Sequence, residues 1–342
     1  MTPLPLIYSP IRGQLDEEYS CFPRFIINPG LLTMEDVKAW IVHHKAVIED
    51  VLESAGGIIF RDFPISNEED FLAFYHAFEY KTMTVESPFF SYAPSHHPQV
   101  SYAPPEQPLA SSLHAAFSLS LTQPKSVFFC MPSFQPSFHP SIHTNIPASR
   151  PLLRLCRSDL LYNIYQSTLP EVTEKLEREG LIYSFLMTED HTNDMYRHFS
   201  WKSLLGVNSS EAAEYMLDSG GFTYEWLDTE TLIVTSPVLP AISSFTDGRM
   251  GLQNNLMNIY TSWPGVRDNP SSFITYGNGS PVGVASLEIL LSLSLQTTFC
   301  HEWLNGDVVI INNEQVLYAH NVQEQQEHVH EKEGSVLAIF SE

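Results

Sequence analysis

From about residue 181 onwards the chain is broken into short apolar runs separated by turn residues, and this punctuation limits the fold more than any other feature. Runs at 181–187, 222–226, 231–235, 238–242, 307–311, 316–319 and 336–340 have strand length. Helix-length patterns fall before and between them, at 34–55, 158–166, 170–180, 211–218 and 284–296. Many short strands with interleaved helices predict an α+β domain built around an antiparallel jelly-roll sandwich.

Local signals sharpen the element boundaries. The helix over 34–55 ends at Gly56-Gly57, and the strand over 58–63 is closed by Pro64. Ser66 and Glu69 have capping-box spacing, as do Thr168 and Glu171 around Pro170. The stretch 84–112 is rich in Pro, Ser, Tyr and His and reads as a long loop of the kind that borders active sites. No internal repeat, low-complexity linker or charge block divides the chain. A single domain over 1–342 is expected, with 1–50 as an N-terminal extension and a helix packed on it.

Forty acidic against 17 basic residues give a formal charge of −23, a field that repels phosphate backbones and anionic membranes. Nucleic acid and membrane are therefore poor partners, and a neutral or cationic small molecule suits the charge better. The apolar run 287–295 is far shorter than the ~20 residues that a membrane span needs. The N-terminus has no basic stretch followed by an apolar one, so a cytoplasmic protein is expected. Cys21, Cys130, Cys156 and Cys300 are scattered without a CxxC pair, which predicts buried, reduced thiols. The sequence carries no signal of oligomeric state.

Several segments in order resemble the taurine dioxygenase superfamily, in particular its clavaminate synthase-like branch of non-haem iron, 2-oxoglutarate-dependent oxygenases. They are Gly56-Gly57 through Arg61-Asp62-Phe63-Pro64, Tyr102 through Leu113-His114, and His143-Thr144 through Arg150. Further on come Gly251 through Trp263 with Asp268-Asn269-Pro270 and Tyr276-Gly277-Asn278-Gly279, then Trp303 through His320. The resemblance implies a double-stranded β-helix (jelly-roll) core with flanking helices. It also implies an iron(II) held by two His and one carboxylate, and a 2-oxoglutarate anchored by an Arg.

This chain departs from that pattern twice. His114 and His320 match the two histidine ligands, but the carboxylate position is Ala116. The Arg position falls at Gly334-Ser335; no Arg follows Arg267, and Lys332 is a poor bidentate substitute. Three readings stay open. One keeps Fe(II) or another divalent metal but not the usual 2-oxoglutarate, with an extra ligand from His139, His143, His328 or His330. One is an iron halogenase, in which the small Ala116 makes room for a halide. One is a catalytically inert or metal-free protein serving as a binding module. Catalytic residues beyond the ligands are not identified.

Thr144, Asn254 and Asn255 match positions that face the substrate or co-substrate in the family, although Asn also commonly satisfies turn backbone. Arg249 and Arg267 read as surface ion pairs, His96-His97 as loop residues, Trp263 and Trp303 as core anchors, and Asp307 as a turn residue entering a strand. No phosphate-binding glycine loop, GxSxG elbow or HExxH is present. The expected function is a non-haem-metal oxidoreductase acting on a small, amino-acid-like metabolite.

Overall fold

Strands β1 (Ile7–Tyr8), β2 (Leu15–Glu17), β3 (Ser20–Phe22) and β4 (Arg24–Ile27) lead into helix α1 (Met34–Ala55) in the computed structural model. The structure describes residues 4–11, 13–17, 20–83, 93–103, 112–120, 122–132, 152–189, 200–263, 265–321 and 336–342. Thr33 caps α1 by accepting from the Asp36 N–H, and Gly56 ends the helix in the left-handed region at φ 80. Next come β5 (Gly57–Arg61) and α2 (Glu68–His76). Asn67 caps α2 by accepting from the Asp70 N–H, and Asp70 accepts in turn from Ser66. The cap thus lies one residue beyond the expected Ser66–Glu69 box, because Asn67 is the better-placed acceptor.

The expected loop over 84–112 contains two short strands, β6 (Ala93–Pro94) and β7 (Ser101–Ala103). They form by pairing with each other and with the last strand of the chain, a contact that local composition does not reveal. Strands β8 (Ser126–Met131) and β9 (Leu152–Arg157) precede helices α3 (Ser158–Thr168) and α4 (Pro170–Glu179). Thr168 is the end of α3 rather than a cap. Leu169 precedes α4 without a side-chain bond, and Pro170 opens it.

Beyond lie β10 (Leu181–Thr188), α5 (Trp201–Leu205), α6 (Ser210–Ser219), β11 (Thr223–Trp226) and β12 (Thr231–Thr235). The expected strand at 238–242 forms later, as β13 (Ile242–Ser244), paired with β14 (Met250–Leu252). The chain ends with α7 (Leu256–Ser262), β15 (Ile274–Tyr276), α8 (Val284–Gln296), β16 (Phe299–Glu302), β17 (Asp307–Asn312), β18 (Val316–Asn321) and β19 (Val336–Ser341).

These elements stack in layers. An eight-stranded sheet runs β1-β4-β5-β17-β8-β19-β7-β6, so the N-terminal segment contributes strands to the sheet itself. Only its β4–β5 pair is parallel. A three-stranded sheet, β16-β9-β18, faces it. Alternate residues of the two sheets (Phe129, Val309 and Ala338 from one, Leu153, Leu155 and Tyr318 from the other) form the inner core. The outer face of the large sheet packs on α1 and α2 through Phe60, Phe128 and Ile310. The outer face of the small sheet packs through Cys156, Leu317 and Ala319 on the remaining helices and on the β11-β12-β10-β15 sheet. Among the described residues no helix is long and apolar enough to cross a membrane.

Candidate active site

The site is built where one edge of the small sheet meets the segment after residue 112. His114 forms an isolated antiparallel bridge with Tyr318, closed by bonds from the His114 N–H to the Tyr318 carbonyl (3.0 Å) and back (2.9 Å). The alternation of an extended chain then sorts 113–116 between two sides. Leu113 and Ala115 enter the core outside the small sheet, whereas Ala116 enters the core between the sheets. His320, two residues beyond Tyr318, falls on the same inward side of β18 and is buried.

Aromatic rings wall the two histidines. The His114 ring lies 4.6 Å from that of Tyr318, and the His320 ring is edge-on to Phe129 at 4.9 Å. Phe129 also contacts Tyr318, at 5.0 Å. His114 Nδ1 lies 2.9 Å from the Ser112 carbonyl, so Nδ1 carries the proton and Nε2 keeps its lone pair. Desolvation pushes His114 down to about 4, against the opposing pull of the Ser112 carbonyl. Burial pushes His320 down to about 3, helped by the nearby His114. Both imidazoles are neutral at pH 7, the state in which nitrogen binds a metal.

Ala116 is buried, and its backbone is held at both ends by Asn313. Among the described residues no group of three or more His, Cys, Asp or Glu side chains comes together to hold a metal ion. Among the described residues, the nitrogens open to a divalent cation here are those of His114 and His320, with no carboxylate grouped beside them.

A clavaminate synthase-like protein of Arabidopsis thaliana is 24% identical to this chain over 332 residues, 93% of this chain and 95% of the relative. A proposed alpha-ketoglutarate dependent 2,4-D dioxygenase from Burkholderia xenovorans superposes with a TM-score of 0.50 at 14% identity, covering 98% of this chain and 97% of that one. AAD-2, solved with Mn(II) and N-oxalylglycine, also gives 0.50, at 13% identity over 98% and 97% of the two chains. The chain shares the fold of these dioxygenases. No protein-family profile matches it.

Within that fold the expected site residues divide. His114, Ala116 and His320 come together around the inner core. Asn254 is buried, but its amide is engaged by backbone, donating to the Ala241 carbonyl (2.7 Å) and accepting from the Leu256 N–H (2.9 Å). Its carbonyl accepts from the Ala115 N–H at 3.3 Å, which ties it to the histidine segment. Asn255 accepts from the Asn258 amide at 3.3 Å. Thr144, His139, His143, His328, His330 and the Gly334-Ser335 position lie outside the described residues.

Other residues take structural tasks. Arg249 pairs with Asp159 and Asp247, and Arg267 with Glu288. His97 sits in the β6–β7 turn, where its N–H bonds Glu68 at 3.0 Å. Trp263 and Trp303 are core anchors. Cys130 and Cys156 are buried thiols, but Cys300 is exposed and Cys21 half-exposed, because alternation on their strands turns them outward. Asp307 does enter a strand after a turn. It also accepts from both Arg61 nitrogens (3.0 and 2.7 Å) and lies 3.2 Å from His301 Nε2, entirely buried. Its partner Arg61 was visible in the sequence, in the same motif as Gly56-Gly57, but nothing local links the two.

Proposed function

We propose that this chain is a non-haem-metal oxidoreductase acting on a small, amino-acid-like metabolite, without 2-oxoglutarate in its usual role. The observation that carries this reading is the pair of neutral, aromatic-walled histidines, His114 and His320, facing one interior beside Ala116. His114 and His320 would hold the metal, Fe(II) or another divalent ion. When bound, it would supply a redox centre and a Lewis acid with positions open to substrate and oxygen.

The chain's own residues set the conditions for that chemistry. The Ser112 carbonyl fixes the His114 tautomer, so that Nε2 is the donor. Phe129 and Tyr318 exclude water, which strengthens every electrostatic contact in the pocket. Asn254 aligns the Ala115 peptide rather than reaching for substrate. Thr144 and Asn255 are further candidates for substrate contact. The Arg that would grip the far carboxylate of 2-oxoglutarate is absent from the sequence, and no step is assigned to that co-substrate.

A second reading, an inert binding protein on the same fold, is favoured by the lack of a third ligand among the described residues. Anaerobic titration with iron(II), with and without 2-oxoglutarate, followed by metal analysis, separates the two. Stoichiometric metal that is lost in His114→Ala, with no charge-transfer band on adding 2-oxoglutarate, is the expected result. No metal on the folded protein rejects the oxidoreductase; a charge-transfer band rejects the inference from the missing Arg.

A further inference from the structure

Thr261 on α7 and Ser112 stand 149 positions apart in the chain, yet their hydroxyl oxygens lie 2.5 Å from each other. Each hydroxyl carries one proton, and the surroundings decide which way the bond runs. Thr261 Oγ1 lies 2.7 Å from the Met257 carbonyl, one helical turn back. A carbonyl cannot donate, so the Thr261 proton goes to Met257, the bond that a β-branched hydroxyl commonly makes inside a helix. Ser112 Oγ is therefore the donor of the pair, and Thr261 Oγ1 the acceptor. Branching at Cβ leaves Thr261 little freedom about χ1, so that acceptor is held still.

The same helix grips the segment at its other end. The Asn254 carbonyl, on the approach to α7, accepts from the Ala115 N–H at 3.3 Å. Residue 254 thus meets 115 and residue 261 meets 112, so α7 and its approach run antiparallel to the segment that carries His114. On the other side His114 is bridged to Tyr318. Between these fixed points the Ser112 carbonyl meets His114 Nδ1 at 2.9 Å. A free neutral imidazole can carry its proton on either nitrogen. Here the choice depends on where that carbonyl is held, and Ser112 is tied to α7 through Thr261.

We propose that Thr261 is a positioning residue for His114: by holding Ser112 it keeps the Ser112 carbonyl on Nδ1 and leaves the lone pair on Nε2, the nitrogen open to a metal. The second half of this rests on the metal reading above, whereas the first concerns the metal-free chain and stands apart from it. An imidazole whose far nitrogen donates to a fixed carbonyl is set in tautomer and ring orientation, and losing such support typically weakens metal binding about 10–100-fold.

The test joins two-bond proton–nitrogen NMR spectra of the metal-free protein near pH 7.5 with cobalt(II) titration by visible spectroscopy. It compares the wild type, Thr261→Val, Thr261→Ser and Ser112→Ala, with thermal unfolding in parallel and His114→Ala to assign the ring signals. The wild type and Thr261→Ser are expected to carry the His114 proton on Nδ1. Thr261→Val and Ser112→Ala should show both tautomers and bind cobalt roughly tenfold or more weaker. If Thr261→Val lowers the unfolding temperature but leaves the His114 spectrum and the cobalt affinity as in the wild type, Thr261 is merely structural and the proposal is overturned. A shifted tautomer with unchanged cobalt affinity overturns it too, as does a wild type that is already mixed. If Thr261→Val does not fold, Ser112→Ala, which removes the same bond from its half-exposed side, carries the comparison. No cobalt uptake by the wild type rejects the metal reading alone. The spectra then decide, mixed tautomers in Thr261→Val supporting the positioning and an unchanged spectrum overturning it.

Discussion

At position 307 a carboxylate sits with no exposure between two sheets, and its environment decides what it costs to disturb. Burial alone would raise Asp307, but His301 and Arg61 hold it below the usual carboxylate range, and the Leu304 N–H adds a further bond at 2.9 Å. Arg61 is itself mostly covered, with its guanidinium over the Phe25 ring. Removing one partner of such a pair leaves an uncompensated buried charge, worth about 3–5 kcal/mol. Asp307→Ala is expected to destabilise by that much in urea unfolding. Asp307→Asn, which keeps the volume and one acceptor oxygen but also removes the charge, should lose nearly as much. A clearly smaller loss from Asp307→Asn would show that packing and the retained acceptor, not charge, are what Asp307 provides.

At the scale of elements, α1 offers a contrast between its two ends. Thr33 is an exposed cap, and Thr33→Ala removes one side-chain acceptor at a cost of about 1 kcal/mol. Gly56 is left-handed at φ 80, and a Cβ there would meet Val316, Arg157 and Gln315 at 3.1–3.2 Å. Gly56→Ala combines backbone strain of roughly 1–2 kcal/mol with that crowding and should cost more than the cap. Thermal unfolding of the two variants gives the order directly. The extent of α1 was legible in the sequence, as were β10 and β17, because their signals are local: helical spacing ended by a glycine, an unbroken apolar run. Strands β6 and β7 were not, since Ser101–Ala103 is a strand only by virtue of its pairing with Val336, Leu337 and Ala338. The site divides in the same way. His114, Ala116 and His320 could be placed from the order of motifs, whereas the bonds from Asn313 to Ala116 and from Arg61 to Asp307 join residues 197 and 246 positions apart and have no local signature.

Over the whole molecule the −23 charge and the buried ion pairs act on stability in different pH ranges. Asp159 and Asp307 are both held low, the first because Arg157 and Arg249 outweigh its burial, the second because His301 and Arg61 do. A depressed carboxylate stabilises fully above its unfolded value of about 4 and loses that contribution as pH falls through the folded value. His301 titrates earlier. Its burial lowers it below the ordinary 6.5, in spite of Asp307 and Glu302 and aided by Arg61. Below about pH 6.5 the unfolded chain therefore takes up a proton that folded His301 refuses, and stability falls as the solution is acidified. The slope from one such group approaches about 1.4 kcal/mol per pH unit. Acid relief of the global repulsion cannot mask it, since most surface carboxylates are still ionised at pH 5. Urea midpoints measured between pH 7.5 and 5 should fall steadily in the wild type. His301→Phe, which keeps an aromatic ring against Phe25 and Trp303, should show a shallower fall below about pH 6.5. Parallel slopes for the two proteins would mean that folding does not shift His301, and a wild type that gains stability on acidification towards pH 6.5 would mean that His301 is held protonated, as a true ion pair with Asp307.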